Sequence, residues 1–158
     1  MILLMMMAMA HAGKLADGYR GLAWGPHETL EQPDGQCQAD PEPGAAFLCQ
    51  QNIGEVPVNV GYGYNEGLLY SVLIMANGFT DCDKLMDTFT AAWGRSTPQK
   101  TYAKGKLDDR IWVDGRTSAV WSWNRYSEKC QVVALHMPSY DAVKAAQASK
   151  AQEAVNDL

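Results

Sequence analysis

The residues of this chain with the most chemistry to offer are four cysteines, Cys37, Cys49, Cys82 and Cys130. A cysteine can be a nucleophile, a metal ligand or half of a disulfide, and spacing chooses among these roles. None of the four belongs to a CxxC pair, so neither a zinc site nor a thioredoxin-like centre is expected, and no metal. Cys82 falls at the start of a predicted helix, where a thiolate can be stabilised, but Asp81 and Asp83 flank it and disfavour the anion. An even count, in a chain that opens with an export leader (below), points to two disulfides with three possible connectivities. The favoured one joins Cys37 to Cys49 and Cys82 to Cys130. The first closes a loop rich in Pro, Gly and Asp, worth roughly 3 kcal/mol in loop-closure entropy.

The other candidates are weaker. His27-Glu28 opens like a zinc-protease helix, but Glu31 stands where the second histidine would have to be. His136 shares a predicted strand face with Cys130, Val132 and Ala134, which reads as a satisfied core or edge histidine. Gly61-Tyr62-Gly63, with Gly67 beyond, resembles a phosphate-cradling loop in composition. Such a loop must lead from a strand into a helix, and these glycines lie inside a strand and its turn. Adjacent acids such as Asp108-Asp109 are common by chance. No G-x-S-x-G or other triad signature is present, so no catalytic residue and no cofactor is assigned. What remains is aromatic. Tyr62 and Tyr64 share one face of a strand, and Trp121 and Trp123 share one face of another. Turned outward, these faces would form a stacking platform for a sugar or a peptide; turned inward, which is the default, they are core.

The elements that must position these residues follow from periodicity. Tyr19 to Gly25 is extended, and Pro26 suits the first turn of a short helix that Glu28 and Glu31 favour and Pro33-Asp34-Gly35 ends. Gln36 to Gly44 reads as loop and Ala46 to Gln51 as a strand. Val56 to Tyr64 alternates with period two, Asn65-Glu66-Gly67 turns, and Leu68 to Ala76 returns, which is a β-hairpin. Thr80 to Trp93 is the best-defined helix, with Leu85, Met86, Phe89, Ala92 and Trp93 in one stripe. Thr80 and Asp83 resemble a capping box, and Gly94 suits the C′ position. Ser96 to Leu107 is polar loop, with room for a short strand at its end. Asp114-Gly115 is a two-residue hairpin signal between Arg110–Val113 and Arg116–Asn124, and Cys130 to Met137 is a further strand. After Pro138 the Ala-rich tail is helical by propensity, with a weak apolar stripe that suggests loose docking. The expected fold is therefore α+β: a mostly antiparallel sheet of about five or six strands, one main packing helix, a short N-terminal helix and a C-terminal helix.

The 158 residues carry 13 basic and 18 acidic side chains, a net charge of −5. The bases are scattered, and without a basic stripe to neutralise phosphates no nucleic-acid partner is expected. Ile2 to Met9 is an eight-residue apolar run followed by Ala10-His11-Ala12, a small-x-small cleavage pattern. That run is too short to span a membrane, so residues 1–12 read as a signal peptide, with a single α+β domain over 13–138 and an Ala-rich helix over 139–158. No Cys follows the cleavage pattern, so no lipid anchor is expected there.

Tyr19-Arg20-Gly21-Leu22-Ala23-Trp24-Gly25, then Gly67-Leu68-Leu69-Tyr70-Ser71-Val72, then Leu85, Phe89 and Trp93-Gly94, form a recurring order. In it the chain resembles a family of small exported bacterial proteins that open with a F/Y-R-G-I/L-x-W-G segment. The resemblance runs from Gly18 to the tail and departs from the family in the cysteine-bearing segment 33–50. It implies an envelope location and an α+β sheet fold, and no activity. The expected function is thus a non-enzymatic periplasmic or secreted domain that binds a protein or a cell-envelope component, with Tyr62, Tyr64, Trp121 and Trp123 as candidate binding residues. The alternatives are a hydrolase of envelope polymers, drawing on Glu28, Asp109 or His136, and a small-ligand or assembly factor.

Overall fold

A computed structural model describes residues 14–29, 32–39, 47–102 and 107–156. The leader expected at 1–12 lies outside them. A three-residue 3-10 turn, Leu15–Asp17, leads into a small hairpin of β1 (Gly18–Tyr19) and β2 (Leu22–Ala23). Then come β3 (Gly25–Pro26), β4 (Gln36–Ala39), β5 (Phe47–Ile53), β6 (Val56–Asn65) and β7 (Leu68–Asn77). Helix α1 (Phe79–Trp93) separates these from β8 (Thr97–Tyr102), β9 (Leu107–Asp114), β10 (Thr117–Asn124) and β11 (Lys129–His136), and α2 (Met137–Asn156) closes the described chain.

Nine of these strands form one antiparallel sheet in the order β4-β5-β6-β7-β11-β10-β9-β8, with β3 paired to the end of β7. The order is palindromic. Each half is a meander of neighbours in sequence, β4 to β7 and β8 to β11, and the halves meet at a central seam where β7 pairs with β11.

The sheet is larger than the five or six strands expected, and three departures account for the difference. The short N-terminal helix does not form: Gly25–Pro26 is a strand, pairing with Leu69 and Leu68 beyond the point where β11 ends. Proline's missing N–H is tolerated at such a margin. Two polar stretches read as loop, 36–39 and 97–102, are the outermost strands β4 and β8. Edge strands need no apolar face to be strands when the neighbour supplies the ladder, so their polar side chains hid them. Pro98 and a register shift between Pro98 and Lys100 also blunt the β8 edge against further pairing.

Two local details differ as well. Helix α1 starts after Gly78, at a φ of 98°, with no side-chain cap, so Thr80 and Asp83 make no capping box. Its first turn is instead fixed from outside, by Gly78 N–H donating to Glu128 O at 2.8 Å and by the Cys82–Cys130 disulfide. In the β9–β10 hairpin Asp114 pairs with Thr117, so the loop is Gly115-Arg116 rather than Asp114-Gly115. Gly115, at φ 60°, takes the first central position, which needs a positive φ.

The core lies on one face of the sheet. Val58, Val60, Tyr62, Val72, Ile74, Val132, Ala134, Ala119 and Trp121 alternate inward along their strands and are at most 4% exposed. Helix α1, with Cys82, Leu85 and Phe89 buried, lies over β6, β7 and β11, and Phe89 reaches Trp112 of β9 and Trp121 of β10 edge-on. The N-terminal segment covers part of the rest, with Tyr19 against Tyr62 and His27 against Tyr64. Helix α2 docks only through its beginning. Ser139 and Val143 are buried, Tyr140 lies 6.3 Å from Tyr70, and residues 147–155 are exposed, with Lys150 in an ion pair with Glu66.

Candidate functional site

The four candidate aromatics all face the core. Trp121 is 0% exposed, Tyr62 1%, Trp123 2% and Tyr64 7%. They make no surface platform: Trp121 packs edge-on to Trp123, and Tyr64 packs edge-on to Phe47. Tyr62 is held by Gln51, whose Nε2 donates to the phenolic oxygen at 2.9 Å, and burial raises the Tyr62 pKa above the usual tyrosine value. Gln51 also accepts from Arg20 Nη1 at 3.1 Å and donates to Asp34 O. A buried glutamine that ties the N-terminal segment to β5 was not legible from its alternating polar neighbours.

All four cysteines are in disulfides, paired Cys37–Cys49 and Cys82–Cys130. Cys37 lies directly opposite Cys49 in the β4–β5 ladder, so this bond ties the outermost strand to the sheet. The second bond joins the first turn of α1 to β11.

The ionisable residues named for a hydrolase lie apart. His136 pairs with Thr117 and Asp109 with Ser122, five positions further along β10, so ~17 Å of strand separates the two rows. Glu28 is exposed beyond β3. Asp108 and Asp109 are consecutive on β9 and so point to opposite faces, unable to act as a carboxylate pair. Asp108 turns inward and receives Arg110, Nη2 to Oδ2 at 2.9 Å. Among the described residues no group of His, Cys, Asp and Glu is placed to hold a metal ion.

His136 has a structural partner. Its Nδ1 is hydrogen-bonded to Ser139 Oγ at 2.7 Å, and its ring stacks on Trp24 with centroids 6.1 Å apart. Burial, then the charge of Arg116, lowers its pKa below the usual histidine value of 6.5. The folded protein therefore prefers the neutral ring. The contribution is intact above pH ~6.5 and is lost as the pH falls through the lowered folded value. The Tm difference between the native protein and a His136→Gln variant should accordingly shrink on going from pH 7.5 to acidic conditions, with both followed by circular dichroism. A constant difference would contradict this.

The face of the sheet opposite the core carries the arrangement best suited to a ligand. One row of directly paired residues crosses seven strands: Gln36 opposite Gln50, Gln50 opposite Asn59, and Asn59 opposite Met75. It continues from Met75 to Gln131, from Gln131 to Ser122 and from Ser122 to Asp109. Residues opposite one another in an antiparallel ladder project from the same face, so these side chains stand side by side, one per strand. Two residues along, the next row is aliphatic, with Leu48, Gly61, Leu73, Val133, Val120 and Ile111. The polar row floors a trough. A cavity of about 510 Å3 reaches from Asn59 to Asp109, with Asn77, Asn124 and Lys129 at its sides. A second, of about 720 Å3, shares Asn59, Met75 and Asn77 and reaches Gln50 and Gln36. Asn124 Oδ1 accepts from the backbone N–H groups of Tyr126 and Ser127, at 3.0 and 3.3 Å, which fixes the turn at the trough's end. Sequence reasoning missed this site because its residues are spread over strands far apart in the chain; only the strand order and register bring them into line.

No protein-family model and no curated protein matches the chain. Among solved structures it is weakly similar to a DUF4309 family protein, YjgB, from Bacillus subtilis subsp. subtilis str. 168, with 13% identity, a TM-score of 0.36, and 70% of this chain and 71% of that one covered.

Proposed function

We propose that this is a non-enzymatic binding domain working in the periplasm or outside the cell, and that it holds a cell-envelope component on the open face of its sheet. One observation carries the reading: the row of polar side chains that crosses the sheet from Gln36 to Asp109 and floors a trough. The rest is consistent with it. Two disulfides suit an oxidising compartment. No helix among the described residues is long and apolar enough to cross a membrane. The hydrolase alternative gains nothing, because Glu28, Asp109 and His136 do not converge, and Ser139, beside His136, is 4% exposed and out of a substrate's reach.

Co-sedimentation with purified cell-wall sacculi and with envelope vesicles tests the reading. The mature protein should be retained by one of them. Gln131→Arg, placing a charge in the middle of the trough at an exposed position, should release it while leaving Tm unchanged. Retention by neither preparation, or retention indifferent to Gln131→Arg, would overturn it.

A further inference from the structure

Resting on that reading, we infer that the occupant of the trough is an uncharged linear glycan, lying across the strands with about one sugar ring to each strand. The argument begins with charge. The chain carries 13 basic and 18 acidic side chains, yet the seven-residue row holds a single charge, Asp109, which the ladder sets opposite Lys100 of β8, and four of its members are amides. A primary amide presents two N–H donors and a carbonyl acceptor on one plane, a match for vicinal hydroxyls and acetamido groups that needs no counter-charge. The cavity's two charged residues, Asp109 and Lys129, are of opposite sign, so its lining carries no net charge to favour an anionic or a cationic polymer over a neutral one.

The spacing points the same way. Neighbouring strands lie ~4.8 Å apart, close to the length of one pyranose ring, so successive rings meet successive side chains. Seven strands give six such steps, a track of ~29 Å. At its centre Met75 supplies a flexible apolar contact for ring C–H groups. The parallel aliphatic row lies ~7 Å away, two residues along the strands, where the less polar side of a sugar chain would rest.

An extended peptide fits less well. Sheets take peptides by adding a strand at an edge, where main-chain groups complete the ladder. The trough runs across the strands and offers no ladder, and the β8 edge is blunted by Pro98 and its register shift. A peptide crossing the sheet would leave its own N–H and C=O groups to the side chains alone.

Calorimetric titration of the mature protein with N-acetylglucosamine oligomers, from the disaccharide to the hexasaccharide, tests this. Affinity should rise with each added ring and be insensitive to salt. Asn59→Ala and Gln131→Ala should each weaken the hexasaccharide about tenfold, the loss expected from one good hydrogen-bonding group. Val113→Ala, on an exposed residue outside the track, should change nothing. Unchanged Tm values for all three keep the comparison clean. Sacculus binding without oligomer binding would sink the glycan and spare the binding reading. Binding of a neutral Asn/Ser/Gly peptide of equal length in place of the oligomers would sink the glycan as well.

Discussion

Trp121→Ala is expected to cost about 3–5 kcal/mol of unfolding free energy, the range for truncating a large buried aromatic. Trp121 is fully buried and packs edge-on to both Phe89 of α1 and Trp123 of its own strand. It therefore joins the helix to the sheet, and its loss leaves a cavity that neither rigid neighbour can fill. Trp121→Phe separates volume from polarity. The indole Nε1 finds no hydrogen-bond partner among the described residues, so the native side chain buries an unpaired donor. Removing that donor relieves a penalty of about 1–3 kcal/mol, which offsets much of the area lost with the smaller ring. Urea denaturation should place Trp121→Phe far closer to the native protein than to Trp121→Ala. Equal losses would mean that the indole nitrogen is satisfied.

Replacing Cys82 and Cys130 together by alanine should destabilise the protein by about 4 kcal/mol through loop entropy alone, given a separation of 48 residues. The corresponding change at Cys37 and Cys49, separated by 12, should cost about 3 kcal/mol. The ranking has a second cause. Cys82 and Cys130 are 0% and 3% exposed and both belong to the core, so alanines there remove two buried sulfurs, whereas in the other pair only Cys49 is fully buried and Cys37 is half-buried on the outermost strand. Since domains of this size are stable by only ~5–15 kcal/mol, the first pair stands between the fold and marginality. Denaturation curves of the two double variants, with disulfide content confirmed by mass, decide the order. A larger loss at Cys37 and Cys49 would show that the edge, not the core, limits stability.

The hairpins β6–β7 and β9–β10 and the helix α1 were legible in the sequence because each rests on short-range rules. Val56 to Tyr64 alternates over a half-buried sheet, Leu85, Phe89 and Trp93 recur at helical spacing, and Gly115 permits a tight turn. The strands β3, β4 and β8 were not legible. Their residues are polar, proline-bearing or both, and only pairing to a neighbour makes them strands. Pro26 shows the ambiguity well. Its fixed φ serves a first helical turn or a marginal strand equally, and Leu68 and Leu69, distant in sequence, decide which. The aromatic faces were found, but their direction could not be read, since strand alternation identifies two faces without saying which is wet. The amide row was out of reach for a stronger reason: it exists only perpendicular to the chain.

The palindromic strand order has a kinetic consequence. Each meander can assemble from contacts close in sequence, while the β7–β11 seam must bring residues 68–77 against 129–136 after the intervening α1, β8, β9 and β10 have found their places. Long-range closure of this sort is the slow step in folding, and until it occurs β7 and β11 are both unpaired, apolar rims. At high concentration two nascent chains can satisfy those rims by trading halves, one molecule's β7 zipping to the other's β11, with α1 as the connecting arm. Oxidation of Cys82 with Cys130 within a single molecule closes that route, because it ties the start of the arm to the correct rim.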